Sequence, residues 1–320
     1  MSIDNIGTAW KADLYKYVGK AFDFEYNNKL NKLRSIISEV DSHSIDYQLD
    51  GLGGYGEFTP YDGSTLEAGE QKRGFRTIII PKEFSKTVDI GYKHARVDKL
   101  GETRKVGTRL GYGGAMTVYL SVLRMFGNAF DEDYKGGDGQ PWASDEHPIA
   151  SKGDNDDRSS VIDGDAGTFS NLIEKNLSVA AISDAQKLAG RYVTPDGLPF
   201  LCDFDTLLVS PELETKAREI CGPNSRLIPE GLPETDLNDA NPLYGMGYVV
   251  VGGGDDGFTA NQWAVCDRTL LKEVAHIIYI TRPTVLQGEL DNPLISRYVG
   301  YIDYGVGWGD ARPIVFSTGE

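Results

Sequence analysis

Side chains able to do chemistry are most concentrated in residues 138–148, DGQPWASDEHP. Two aspartates, a glutamate, a tryptophan and one of the chain's four histidines fall within this one short stretch. His147 beside Asp145 and Glu146 has the make-up of a general acid–base or metal site. The other histidines, His43, His94 and His276, are too scattered in sequence to suggest a ligand set. Nearby carboxylates or solvent would suit an ordinary surface histidine equally well, and that is the reading the sequence favours. Asp131-Glu132-Asp133 is read in the same way, as a solvated helix end rather than a carboxylate dyad.

Other motif matches fail on context. Gly252, Gly254 and Gly257 satisfy GxGxxG after a strand-like run, but the following FTANQWAVCD alternates as a strand instead of opening the helix that a dinucleotide loop requires. Asp163, Asp165 and Glu174 occupy positions 1, 3 and 12 of a calcium-loop template, whose glycine at position 6 is here Thr168. No GxSxG, GxxxxGK[ST] or HExxH occurs. Cys202, Cys221 and Cys266 lie 19 and 45 residues apart with no CxxC pair, as buried free thiols would. No catalytic residue, cofactor or metal site is expected.

Composition narrows the classes further. Acids outnumber bases 48 to 32, a net charge of -16, so the surface lacks the clustered lysine and arginine that grip phosphates. The start MSIDNIGTAWKADLYK has no apolar signal core, and no window approaches the ~20 apolar residues of a membrane span, so a cytoplasmic, non-membrane chain is expected. With 320 residues, it can bury one elaborated core or two.

The elements that would position these residues can be followed along the chain. Trp10, Leu14, Tyr17, Val18, Ala21 and Phe22 form one face of an amphipathic helix, and NKLRSIISEV reads as a second, short one. With little else to pack on, residues 1–50 are expected to find their partner outside their own subunit. Residues 51–92 are expected to form an extended two-stranded loop with a charged tip near 62–74, its second limb alternating through Phe84, Lys86, Val88 and Ile90. Ala115, Val118, Tyr119, Val122, Leu123, Phe126 and Phe130 mark a long helix over roughly 95–131. Gly101, Gly107, Gly111, Gly113 and Gly114 weaken its upstream half, and a bend at Gly113-Gly114 is an option.

Ser178 caps a helix that stops at Thr194-Pro195-Asp196-Gly197. DTLLVS is a buried strand leading into the helix PELETKAREIC. GYVVVGGG, QWAVCD, AHIIYITRP and RYVGYIDYGVGW add further strands, so the class is α+β.

In order, DGQPWASDEHP, TFSNL (168–172), LSVAAISDAQKLAGRYVTPDGLPF and DTLLVSPELETKAREI resemble the major head subunit family of Mu-like bacteriophages. These are major capsid proteins of the Hong Kong 97 phage type. The resemblance covers residues 138–220 and is carried by order and spacing, since no single piece is specific. It implies a Hong Kong 97-type capsid fold: an N-terminal arm (1–50), an extended hairpin loop (51–92), a peripheral domain with a spine helix (93–197), an axial domain (198–285) and C-terminal return strands (286–320).

The implied function is self-assembly into the pentamers and hexamers of an icosahedral head enclosing double-stranded DNA, in a virion assembled in the host cytoplasm. The implied partners are further copies of the chain, a separate scaffold, a portal protein and a decoration protein, with DNA enclosed without sequence-specific binding. Glu67, Glu70, Lys72 and Arg73 would register the hairpin tip on a neighbour. Asp138 and Gly139 would make a turn, Trp142 would pack, and His147-Pro148 would end an extended segment. Some relatives cross-link a loop lysine to an asparagine, but no motif selects Lys72 or Lys82 here. The alternatives are an encapsulin-like nanocompartment shell, a hydrolase using Asp145, Glu146 or Asp131, and a monomeric binding module.

Overall fold

The computed structural model describes residues 3–30, 33–53, 57–58, 60–61, 63, 74–97, 102–149, 167–222, 243–288, 292 and 294–320. Helix α1 (Ile3–Leu30) is followed by strands β1 (Ser38–Asp41), β2 (Tyr47–Asp50), β3 (Arg76–Ile79) and β4 (Lys82–Gly91), the short helix α2 (Tyr92–Arg96) and the long helix α3 (Glu102–Gly127). Two-residue strands β5 (His147–Pro148), β6 (Thr168–Phe169) and β7 (Leu172–Ile173) lead to α4 (Val179–Ala189), β8 (Thr206–Val209) and α5 (Glu214–Cys221). Then come β9 (Gly247–Val250), β10 (Gly252–Gly253), β11 (Asp256–Gly257), β12 (Trp263–Cys266), α6 (Arg268–Val274), β13 (Ala275–Gly288), β14 (Ile295–Trp308) and β15 (Ile314–Ser317).

These elements form two compact units. The first comprises residues 1–47, 79–122 and 276–306, the second residues 48–78, 123–275 and 307–320.

The first unit is built on a four-stranded sheet in the order β1-β13-β14-β4, with β1 parallel to β13 and β4 antiparallel to β14. Helices α1 and α3 cover one of its faces. Val18, Phe22, Tyr26 and Leu30, each four residues from the last, are buried, and the Tyr26 hydroxyl meets that of Tyr279 at 2.8 Å. The Tyr304 hydroxyl donates to the Thr117 carbonyl at 3.0 Å, tying β14 to α3.

The arm therefore packs on its own chain, contrary to expectation, and the reason lies in glycines that look like weaknesses in the sequence. A Cβ at Gly107 would lie 2.5 Å from the Val18 carbonyl oxygen, and one at Gly111 the same distance from that of Phe22. Their missing side chains let two helix backbones meet, an advantage in contact that offsets the ~1 kcal/mol each glycine costs the helix. Helix α3 runs through Gly113-Gly114 as one element.

Two further expectations are corrected. NKLRSIISEV is not a helix: a 3-10 turn at Leu33–Ser35 gives way to β1, whose partner in β13 lies more than 230 residues away. The run FRTIIIPKEFSKTVDIGY is two strands separated at Pro81, which has no N–H to offer a ladder. β3 pairs with β2, whereas β4 is the edge strand beside β14, so residues 82–91 are not the second limb of a hairpin with residues 51–75.

The second unit holds a five-stranded sheet in the order β7-β15-β12-β8-β9. β8, β12 and β15 are buried at every residue, which is why TLLV, WAVC and IVFS are continuous apolar runs without alternation. On one face Leu207, Val209, Trp263, Val265 and Val315 pack on α4 and α5 through Ala181, Ile182, Ala185, Ala217 and Ile220. Ser178 caps α4 by accepting a bond from the Ala181 N–H, and the Asp267 side chain caps α6 through Thr269 and Leu270. The other face, presenting Phe316, is covered by an aromatic cluster that residues 138–148 help to build.

Candidate functional site

Residues 138–148 form a buried polar cluster of the second unit together with Asn171, and its geometry decides whether His147 can react. The segment opens with a turn in which Gly139 sits at φ +81, a conformation that favours glycine. One carboxylate oxygen of Asp138 accepts a bond from the Gln140 N–H at 3.1 Å, and the other lies 2.6 Å from His147 Nδ1. Trp142 is fully buried, stacked on Trp308 with ring centroids 5.3 Å apart and an interplanar angle of 6°, and in contact with Phe126 and Phe316.

His147 is not a surface residue. Its exposure is 0%, its ring stacks on Phe169, and β5 pairs His147 with Phe169 in β6. On its second nitrogen, Nε2, it faces Asn171 Oδ1 at 3.2 Å and the Trp142 carbonyl at 3.3 Å. Asn171 completes the cluster: its Nδ2 donates to the Trp142 carbonyl at 2.8 Å, and its Oδ1 accepts from the Ser144 N–H at 2.9 Å. Both ring nitrogens thus face oxygen acceptors supplied by the protein itself.

A general base must reach a substrate proton, and a ligand histidine must present a free nitrogen. With no exposed ring atom and both nitrogens engaged, His147 does neither; it joins the 138–148 turn to the 168–171 strand. Asp145 and Glu146 are exposed and outside this network.

A second buried polar group adjoins it. Arg312 Nη1 and Asp310 Oδ2 form an ion pair at 2.9 Å with both side chains almost wholly buried. Arg312 also donates to the Val193 and Ile149 carbonyls, each at 2.9 Å, and its guanidinium lies 5.1 Å from the centre of the Phe169 ring. Asp310 Oδ2 accepts the Leu52 N–H. Phe169 is therefore held between a histidine and an arginine, one on the segment after the long helix and one just before the last strand.

Sequence reading missed Arg312, Asp310 and the role of Asn171. The one signal for them is an Asp-x-Arg pair beside a buried apolar run, and many exposed pairs share that pattern.

Of the remaining motifs, the glycine-rich one is structural. Gly252 to Gly257 form the antiparallel β10-β11 hairpin, with Gly254 and Gly257 at positive φ, and β12 follows. Burial, with help from Asp267 and Asp203, pushes the Cys202 thiol up to about 11, and burial raises Cys221 and Cys266 too, away from thiolate reactivity. Asp131, Glu132 and Asp133 are exposed. Glu67, Glu70, Lys72 and Arg73 lie outside the described residues, as do Asp163 and Asp165. Among the described residues no group of three or more His, Cys, Asp or Glu side chains is placed to hold a metal ion, and no helix is long and apolar enough to cross a membrane.

No protein-family model matches the sequence, and no curated protein matches it. Solved structures do. The chain is similar to the capsid of a native GTA particle, at 12% identity and a TM-score of 0.50 over 89% of each chain. It is also similar to a virus-like particle from Pyrococcus furiosus, at 10% identity and a TM-score of 0.51 over 95% of this chain and 98% of that one. At such identities the likeness is one of fold: the mixed helices and sheets of this chain are those of the Hong Kong 97-type capsid fold.

Proposed function

We propose that the chain is the major capsid protein of a phage head, a structural subunit that assembles with copies of itself into the pentamers and hexamers of an icosahedral shell around double-stranded DNA. The observation that carries this reading is the extent of the fold likeness: about nine-tenths of the chain follows the subunit of a particle capsid. The internal polar cluster agrees, since its histidine, asparagine and arginine are used up in holding segments together.

In this reading residues 51–75 form the loop that reaches a neighbour, and Glu67, Glu70, Lys72 and Arg73 set its register there. Phe58, 92% exposed, and Tyr61 stand on that stretch without cover in the single subunit, as side chains awaiting a partner surface would. Head-to-tail contacts of this kind close into rings, and rings into shells, so that weak pairwise contacts sum through multivalency. The excess of 48 acids over 32 bases suits a lining that does not hold the packaged phosphates. A scaffold and a portal protein would direct assembly, and a decoration protein would bind the finished surface.

The test is electron microscopy of the purified, overexpressed chain with and without a co-expressed scaffold. Rings, tubes or closed particles are expected. A chain that stays monomeric at high concentration in both conditions would overturn the proposal.

The likeness to the Pyrococcus furiosus particle favours one second reading, a nanocompartment shell. Particles from the native source would then contain protein cargo instead of nuclease-protected DNA.

A further inference from the structure

The four-stranded sheet of the first unit has two faces. Phe84 and Lys86 of β4 and Gly300 and Ile302 of β14 line a groove with α3, so the alternate residues of both strands lie on the other face. There the register sets Asp89 opposite Arg297, Thr87 opposite Val299, Ser85 opposite Tyr301 and Glu83 opposite Asp303.

The two ends of this ladder are unlike. At one, Arg297 holds Asp89 with two bonds of 2.8 Å. At the other, a carboxylate faces a carboxylate, an arrangement that destabilises a sheet unless a cation intervenes. The lysines of β4 do not supply it, because Lys82 and Lys86 lie on the opposite face by the alternation of the strand.

Asp303 makes the case stronger than a pair of surface acids would. Along β14 exposure alternates from Ile295 to Ile302, and Asp303 breaks that pattern by being buried where the preceding residues of the same face, Arg297, Val299 and Tyr301, are half-exposed. The residue is 8% exposed, and its side chain makes no hydrogen bond or ion pair among the described residues. The Tyr301 phenol, hydrogen-bonded to Glu83, adds a third oxygen on the same face.

We propose that Glu83 and Asp303 bind a divalent cation of the calcium or magnesium type across β4 and β14, with the Tyr301 oxygen and water completing its shell. Cross-strand Cβ atoms lie about 4.5–5.5 Å apart, close enough for both carboxylates to reach one ion. All the donors are hard oxygens, which suit calcium or magnesium and disfavour zinc. Two carboxylates instead of three or four make the site weak, with a dissociation constant on the order of 10⁻⁴–10⁻³ M. The ion would fasten the edge strand β4 to the sheet.

Burial first, and then the Glu83 charge, raise the Asp303 carboxyl above its ordinary value. A proton is thus the competitor for the same place. Because the folded-state value lies above the unfolded one, the metal-free chain gains stability with Asp303 protonated and loses it as pH rises through the raised folded value.

The test is a thermal melt of the whole chain at neutral pH with calcium, magnesium or matched sodium chloride, together with terbium luminescence sensitised through Tyr301. Calcium is expected to raise the melting midpoint by a few degrees, saturably, and to displace the terbium signal. Asp303→Asn and Glu83→Gln should each abolish the calcium shift. Asp303→Asn should also melt higher than the metal-free parent, because it removes the repulsion without changing shape. A calcium shift equal to that of the sodium control, or one kept in Asp303→Asn, would overturn the site. Stability that answers to pH but not to calcium would overturn it as well and leave the pair as two carboxyls sharing a proton.

Discussion

Replacing Gly111 by alanine tests the account of how α1 lies on α3. In an exposed stretch of helix the change stabilises by ~1 kcal/mol, since alanine loses less backbone freedom. Here the new Cβ would sit 2.5 Å from the Phe22 carbonyl oxygen and 2.8 Å from its Cα. That is about 1 Å inside ordinary contact, and the obstacle is helix backbone, which cannot swing aside as a side chain can. Overpacking of this kind costs roughly 1–3 kcal/mol, which cancels the alanine gain and leaves a net loss of up to about 2 kcal/mol.

Gly113, two residues on in the same helix, has nothing within 4 Å of its hypothetical Cβ. Gly113→Ala should therefore stabilise by up to ~1 kcal/mol. Urea titration followed by circular dichroism reads both, and the opposite signs make the comparison independent of any general effect of alanine. If Gly111→Ala proved as stabilising as Gly113→Ala, the two helix backbones would not be in contact and the packing described here would be wrong.

Two other substitutions probe the buried polar cluster. His147→Ala strands the Asp138 carboxylate and Asn171 Oδ1 and should lower stability by about 2–4 kcal/mol, whereas Trp142→Ala empties the centre of the aromatic cluster and should cost about 3–5 kcal/mol; calorimetry would show both, and a His147→Ala chain melting with the parent would return that residue to the surface. Arg312→Ala leaves Asp310 charged and buried and should cost about 3–5 kcal/mol by the same measurement, with much of it recovered in Arg312→Met/Asp310→Leu, which removes both charges.

How much of this was legible in the sequence depended on the distance over which each feature is decided. The cap at Ser178, the strand TLLV, the turn Asp138-Gly139 and the periodic face of α3 are local, and the sequence displays them. β1 was misread because Ile36, Ile37 and Val40 are too few to separate strand from helix, and the choice is made by pairing with β13 far along the chain. The glycines of α3 were read through propensity alone, and their purpose becomes visible only with Val18 and Phe22 against them. His147 was misjudged for the same reason: its immediate neighbours, Asp145 and Glu146, turn outward, and its partners are Asp138 and Asn171.

The place of β15 in the five-stranded sheet has a consequence for the order in which the protein is made. Between β12 and β7 it supplies the strand that joins them, yet it follows both in the chain, and the β13 and β14 ribbon of the other unit is spelled out before it. Until the ribosome has delivered residue 317, β12 has one open edge and β7 has no sheet to join, so the newborn chain carries a half-built sheet with exposed, aggregation-prone backbone. Arrival of β15 closes that edge and seats β7 in a single step, so truncation before residue 314 is expected to leave the chain prone to aggregate.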